Sequence, residues 1–203
     1  MFIPADRFRY RDVTPLIEAA KERGYRVAYE EPEHYFDFRE GKLEHPLPEG
    51  YHFVKPEKSD PLKVAKCLWD GFNRWELGEF KDWDIPQKND GRSPHEVYQN
   101  VYGATIAPSP HATYHYNAII ADEKDDYVCF SGMWWIPENH LAYMEPLCTV
   151  PEHQHKGLAA AALSHHDQVL RALGAEVMTG GGNEFYKKIG YQKTRIYMHF
   201  RKG

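Results

Sequence analysis

The sequence predicts an α/β protein with a mixed sheet and helices on both faces. Apolar strand-like runs alternate with helix patterns in the order β-α-α-β-β-β-α-β-α-β, which is typical of such a fold. Residues 113–121 and 127–136 are joined by the acidic turn 122–126 and form a hairpin pattern. A third strand pattern, at 141–150, is followed almost directly by a strong helix pattern at 157–173.

Composition excludes several classes of protein. The 203 residues include 25 Lys and Arg against 30 Asp and Glu, and no basic stripe suggests a nucleic-acid partner. No apolar run approaches the ~20 residues of a membrane span, and the first residues lack a signal-peptide core. Cys67, Cys129 and Cys148 are odd in number and far apart, which predicts a reducing, cytoplasmic setting without disulfides.

The first 49 residues read as an extension of a main domain that covers residues 50–203. A helix starting near Thr14 and closed by Gly24 precedes a short strand at 25–29. Two prolines and a glycine at 44–50 indicate a linker, so we place a boundary there. The extension is expected either to pack on the main domain or to form a subunit contact. In the second case the protein could be a homodimer.

Three helices are predicted in the main domain before its last strands. One starts at residues 59–61, and a capping box with proline predicts another from 93 to about 102. The helix at 157–173 carries several alanines on its inward face, which permits close packing on a sheet. Its period places Arg171 and His166 on the solvent side.

The turn between the third strand and this last helix has the properties of an anion site. Its helix opens without Asp or Glu in the first turn, so the positive end of the helix dipole is left for a ligand. Lys156 adds a full charge, and Gly157 allows close approach of backbone to a phosphate. The Walker pattern is absent, and the glycines at 180–182 are consecutive and late, which does not fit the dinucleotide fingerprint.

Two motifs in this region resemble those of the GNAT superfamily of acetyltransferases. The run at 154–159 reads Gln-His-Lys-Gly-Leu-Ala and is similar to the superfamily's Gln/Arg-x-x-Gly-x-Gly/Ala loop. Downstream, Asn183, Tyr186, Gly190 and Tyr191 are similar to its later Asn-x-x-Tyr-x-x-x-Gly-aromatic run. The motifs that carry the resemblance lie within 117–203; the resemblance extends over 50–116 and is absent from the first 49 residues.

The resemblance implies a GNAT-like fold, with a mixed, mostly antiparallel sheet that splays at the fourth strand of the main domain. It further implies N-acetyl transfer from acetyl-coenzyme A by direct attack of a primary amine, carried by a small molecule or a peptide. The loop would hold the pyrophosphate, and the splayed strand would pair with the pantetheine arm as a pseudo-strand. The implied cofactor-binding residues are Leu147, Cys148, Thr149, Val150, Gln154, His155, Lys156, Gly157, Leu158, Ala159, Asn183 and Tyr186.

Pro146 lies inside the strand that this resemblance would splay. Proline donates no hydrogen bond to a ladder, so within an apolar strand it predicts a bulge. Simple alternation groups Glu145 with Tyr143 and Leu147. It also groups Cys148 with Met144 and Val150, and we expect Cys148 to be a buried, inert thiol.

Two residues are candidates for proton transfer. By the resemblance, Tyr186 is the general acid that protonates the departing thiolate, and its alternative role is that of a buried aromatic beside Phe185. Glu145 is a carboxylate on an apolar strand, and some superfamily members use an acid here as the base for the amine. Alternatively, Glu145 is a solvated or salt-bridged residue without a role in proton transfer. Asn183 caps the helix that carries Tyr186.

The remaining assignments concern the acceptor and metals. Strand aromatics Trp134, Trp135 and Tyr143 could wall an acceptor pocket, or they could be core residues. The histidines at 153, 155, 165 and 166 do not share one face, so we expect no metal site. The competing function is a non-catalytic module of the same fold, which binds coenzyme A and senses it or serves a partner.

Overall fold

The computed structural model describes residues 13–74, 80 and 114–203. In that part of the chain, seven strands form one sheet in the order β2-β3-β4-β5-β6-β1-β7. Neighbours are antiparallel except β5 and β6, which are parallel. The strands are β1 (Tyr25–Asp37), β2 (Tyr51–Val54), β3 (Ala118–Asp122), β4 (Tyr127–Ile136), β5 (Leu141–Thr149), β6 (Val177–Thr179) and β7 (Lys193–Lys202). The helices are α1 (Thr14–Glu22), α2 (Pro61–Gly71), α3 (Leu158–Ala172) and α4 (Glu184–Ile189).

The mixed, mostly antiparallel sheet with flanking helices confirms the predicted fold class. The helix predicted at 93–102 lies outside the described residues, as do residues 75–79 and the start of the strand predicted at 113–121. Among the described helices, none is long and apolar enough to cross a membrane.

Helices pack on both faces of the sheet, because successive side chains along a strand such as β3 point to opposite faces and both sets are apolar. Ile119 and Ala121 of β3 pack with α2, whereas Ala118 and Ile120 pack with α3. A larger cluster on the α3 side also includes residues of α4 and β1. Helix α2 starts where the sequence predicts, since the Asp60 carboxylate accepts a hydrogen bond from the Leu62 N–H at 2.8 Å.

The bulge predicted at Pro146 is present between β4 and β5. Ser131 pairs with Leu147 and Met133 with Met144, so the pair Glu145–Pro146 faces the single residue Gly132. A side chain at Gly132 would clash with the carbonyl oxygen of Glu145, so glycine is needed for the close approach.

This extra residue reverses the alternation on which two sequence predictions relied. Met144 and Leu147 both contact the cluster on the α3 side, whereas Cys148 packs with α2 on the other face. Grouping Cys148 with Met144, and Glu145 with Leu147, was therefore wrong. Counting alternate residues fails across a bulge because one residue is left without a partner in the ladder.

Part of the chain before residue 50 belongs to the sheet, namely residues 25–37. Strand β1 lies between β6 and β7 and pairs with both, and it runs to Asp37 rather than to residue 29. Phe36 and Phe38 enter the same core cluster as Met178 and Tyr186. The extension thus packs on the rest of the chain as an interior strand, and without it β7 would lose its only described neighbour.

Residues 38–45 are held against α3 by its polar side chains. The buried Asp167 carboxylate accepts hydrogen bonds from the Leu43 N–H at 2.7 Å and from Arg171 Nε at 2.9 Å. Arg171 in turn donates to the carbonyl oxygens of Phe38 and Gly41. This network fixes a segment without regular structure to the helix that follows the predicted anion loop.

His166 does not face solvent, contrary to the sequence prediction. It is fully buried, and its Nε2 lies 2.9 Å from the hydroxyl of Ser131 on β4. Burial lowers the pKa of His166 to about 3, with the neighbouring His165 as a second cause. The imidazole is therefore neutral in the folded protein at ordinary pH.

Asp167→Ala should destabilise the protein by about 3 kcal/mol, because it breaks a pair with one buried member and leaves the Leu43 N–H unsatisfied. Denaturant unfolding measures the change. Lys66→Ala, which removes a pair of the same i,i+4 spacing in α2 whose lysine is exposed, should change stability far less. Equal effects of the two variants would contradict the structural role of Asp167.

Acid should destabilise the wild type through His166. The unfolded state protonates this histidine near its ordinary pKa of 6.5, whereas the folded state does so only near 3. Stability is therefore lost as the pH falls through that window. Between about pH 7 and about pH 5, the wild type should lose about 2 kcal/mol more than His166→Gln. Parallel stability curves for the two proteins would refute the assignment.

Candidate active site

A cavity opens where β5 and β6 separate. The two strands pair only at Leu141 with Val177 and at Ala142 with Met178. The next contact is a hydrogen bond from the Met144 N–H to the Thr179 hydroxyl at 2.8 Å. Beyond it lies a cavity of about 430 Å³ between the end of β5, the start of α3 and helix α4.

Ten of the twelve residues that the resemblance implies for cofactor binding line this cavity. Of these residues, only Val150 and Lys156 are missing from it. The structure adds four lining residues that sequence reasoning missed, namely Gly71, His153, Ala160 and Phe185. Gly71 could not be found from sequence, because α2 reaches β5 only through tertiary packing: a side chain at Gly71 would meet Cys148 Sγ at 2.7 Å.

The loop before α3 is shaped by two residues in the left-handed conformation, His155 with φ of 61° and Gly157 with φ of 87°. A hydrogen bond from Gln154 Nε2 to the Thr149 carbonyl oxygen at 3.1 Å ties the loop to the end of β5. Gly157 is the N-cap of α3, so no side chain caps the first turn, and that turn contains no acidic residue. The first N–H groups of α3 and its dipole are thus available to an anion.

Lys156 lies beside the cavity rather than on its wall. Its Nζ is 3.2 Å from the hydroxyl of Tyr51, which is also 2.9 Å from Nδ1 of His153. Tyr51, the first residue of β2, thus contacts two residues of the loop, His153 and Lys156. The loop sequence gave no sign of this contact, because Tyr51 is more than a hundred residues away in the chain.

Tyr186 combines burial with access to the cavity. Its side chain is 5% exposed and contributes to the cavity wall. Burial, with the charge of Glu145 as a second cause, raises the pKa of Tyr186 to about 12. The phenol is therefore fully protonated at neutral pH. Asn183 caps α4 as predicted, since its Oδ1 accepts from the Phe185 N–H at 3.1 Å.

Glu145 is an exposed residue of β5 that does not line the cavity. Partial burial of its carboxyl raises the pKa of Glu145, and the charge of Glu33 on β1 raises it in addition. A higher pKa makes this carboxylate a stronger base than a free glutamate.

The three aromatic residues proposed for the acceptor are not on one wall. Trp134 and Tyr143 are cross-strand partners on the face that carries Glu145. Trp135 is on the opposite face and packs against the core cluster beside α3. None of the three lines the described cavity, so an acceptor that meets Trp134 and Tyr143 would approach from the face of the sheet opposite the core cluster beside α3.

The cysteines are buried free thiols, as expected for Cys148. Cys148 Sγ lies 3.7 Å from the carbonyl oxygen of Cys67, and burial raises the pKa of Cys129 to about 12. Neutral, buried thiols are poor nucleophiles. Within the described residues, no three side chains are grouped to hold a metal ion.

Comparison with known proteins places this architecture in a family. Residues 69–191, more than half of the chain, match the acetyltransferase (GNAT) family. The chain belongs to that family. The matched segment includes the splayed strand, the anion loop and Tyr186, and members of this family generally use an acyl-coenzyme A as cosubstrate. No curated protein matches the chain in sequence.

Solved GNAT structures share the fold at low sequence identity. A GCN5-related N-acetyltransferase from Sphaerobacter thermophilus is 13% identical with a TM-score of 0.63, over 93% of this chain and 56% of that chain. A glucosamine N-acetyltransferase region of a fungal multi-domain GH3 β-N-acetylglucosaminidase is 11% identical with a TM-score of 0.60, over 97% of this chain and 23% of that one. A tandem GNAT protein from clavulanic acid biosynthesis is 11% identical with a TM-score of 0.56, over 93% and 59%. The present chain thus spans little more than half of the first of these proteins.

Gly157→Glu should weaken binding of coenzyme A at least about tenfold, or about 1.4 kcal/mol, because it places a carboxylate at the N-terminus of α3. Titration calorimetry measures the dissociation constant. Gly174→Glu is the matched control, since Gly174 has nearly the same φ of 88° and open space around it but lies beyond the other end of α3. If both variants bind as the wild type does, the phosphates bind elsewhere.

Proposed function

We propose that this protein transfers an acetyl group from acetyl-coenzyme A to a primary amine. The observation that supports this most directly is that one cavity joins an uncapped helix N-terminus at Gly157 to the buried phenol of Tyr186. The first feature suits a pyrophosphate, and the second suits a leaving thiolate at the far end of the pantetheine arm.

The splayed strand provides the site for that arm. Residues 147–149 pair with β4 on one side, and on the other side they line the cavity instead of pairing with β6. An extended chain of amides can occupy that edge as an added strand. In this arrangement the thioester lies between the end of β5 and Tyr186, and backbone N–H groups at 147–149 polarise its carbonyl.

The chemical step is direct attack of a neutral amine on the thioester carbonyl carbon. The new C–N bond forms as the C–S bond breaks, so the amine must lose one proton and the sulfur must gain one. Glu145, with its raised pKa, accepts the amine proton, directly or through water. Tyr186 stays protonated until charge develops on the sulfur, and then donates its proton there.

The acceptor is a primary amine of a small molecule or of a peptide. It would enter from the face of the sheet that carries Glu145, Tyr143 and Trp134, because the cofactor fills the opposite approach along α3. A panel of amines, amino acids, aminoglycosides and peptides, assayed by release of free thiol from acetyl-coenzyme A, tests the activity. Binding of coenzyme A without transfer to any acceptor would favour the alternative, a non-catalytic coenzyme A sensor.

Tyr186→Phe should slow transfer without weakening cofactor binding, since the ring stays in the core and only the hydroxyl is lost. General-acid assistance contributes ~10²–10⁴-fold to a proton-transfer step. Single-turnover acetyl transfer measures the chemistry apart from product release, and calorimetry gives the affinity for acetyl-coenzyme A. Unchanged chemistry would make Tyr186 a packing residue, and a joint loss of rate and affinity would make it a cofactor ligand.

A further inference from the structure

Three consecutive glycines at 180–182 follow β6, and the first two of them lie against the ring of Tyr186. A Cβ atom on Gly180 would meet the ring atom Cδ1 of Tyr186 at 2.8 Å. One on Gly181 would meet Cε2 at 2.9 Å and the hydroxyl oxygen at 3.3 Å. Cβ atoms do not normally approach other atoms below about 3 Å, so each added methyl group would displace the ring or the loop.

Backbone hydrogen bonds prevent residues 180–182 from moving away from the Tyr186 ring. The Gly180 N–H donates to the carbonyl oxygen of His34 at 2.8 Å, and the Gly181 carbonyl accepts from the His34 N–H at 3.1 Å. Both bonds tie the run to β1, an interior strand of the sheet. Behind it, a Cβ on Gly182 would meet the Pro32 carbonyl oxygen at 2.5 Å. The loop is therefore fixed relative to the sheet.

The other side of the Tyr186 ring is equally confined. The ring of Tyr191 packs edge-on against it with centroids 5.1 Å apart, and that of Phe185 does so at 5.3 Å. Tyr191 also bonds through its N–H to the Tyr186 carbonyl oxygen at 3.0 Å. A ring held between a rigid glycine backbone and two aromatic rings has one position for its hydroxyl.

We propose that Gly181 is a positioning residue, which sets the place of the Tyr186 hydroxyl at the end of the cavity. The proposal rests on the proposed function, in which that hydroxyl donates a proton to the leaving sulfur. Gly181 is distinguished from a glycine required for backbone conformation, because its φ lies outside the left-handed region. Alanine at this position would therefore act through its methyl group and not through backbone strain.

Gly181→Ala should lower the single-turnover rate of acetyl transfer on the order of a hundredfold, the usual effect of a displacement of about 1 Å at a reacting group. Affinity for acetyl-coenzyme A should change less than about threefold, because the nearest atoms that the added methyl group would meet belong to Tyr186 and not to the loop before α3. The rate effect should vanish in a Tyr186→Phe background, where there is no hydroxyl to misplace.

Gly182→Ala is the matched control, since its methyl group would press the same loop against Pro32 but not against Tyr186. It should lower the melting temperature and retain most of the single-turnover rate. The proposal is overturned if Gly181→Ala is as fast as the wild type, if it slows the Tyr186→Phe protein by the same factor, or if Gly182→Ala is equally slow. Absence of any transfer by the wild type would instead overturn the proposed function, and the positioning role with it.

Discussion

The separation of β5 from β6 is the feature on which the candidate site depends. Two pairs of residues join these strands, and a bulge at Pro146 opposite Gly132 then turns β5 away. The parallel register that pairs Leu141 with Val177 ends with β6 at Thr179, so residues 147–149 have no strand partner on that side within the described residues. Because they pair with β4 alone, one edge of the strand borders the cavity, and this edge can receive an extended ligand.

The interior strand β1 determines how rigid the other wall of the cavity is. It fixes the glycine run at 180–182 through backbone hydrogen bonds to His34, and that run supports the ring of Tyr186. Asp167 and Arg171 fasten the continuation of β1 to α3, the helix whose N-terminus forms the anion loop. Through these hydrogen bonds, residues 25–45 join the glycine run at one end of the cavity to α3 at the other. This segment lies outside the residues that match the family.

Charge is distributed so that the two ends of the cavity differ. At one end, α3 begins without a side-chain cap and without an acidic residue in its first turn, which favours an anion. At the other end, burial and then the charge of Glu145 raise the pKa of Tyr186, and burial and then the charge of Glu33 raise the pKa of Glu145. A cosubstrate with phosphates at one end and an uncharged thioester at the other is compatible with this polarity.

Local sequence determined the elements whose signals lie within a few residues: the start of α2 at Asp60, the cap of α4 at Asn183, the turn at Gly157 with the helix after it, and the bulge at Pro146. These features follow from side-chain caps, turn conformation and the missing N–H of proline, which need no distant partner. Tertiary structure alone decided that His166 is buried against Ser131, that Trp134 and Trp135 lie on opposite faces, that Cys148 lies opposite Met144, and that β1 is an interior strand. Each of these depends on strand register and on pairing between residues far apart in the chain, and the periodicity of a single segment carries no information about either.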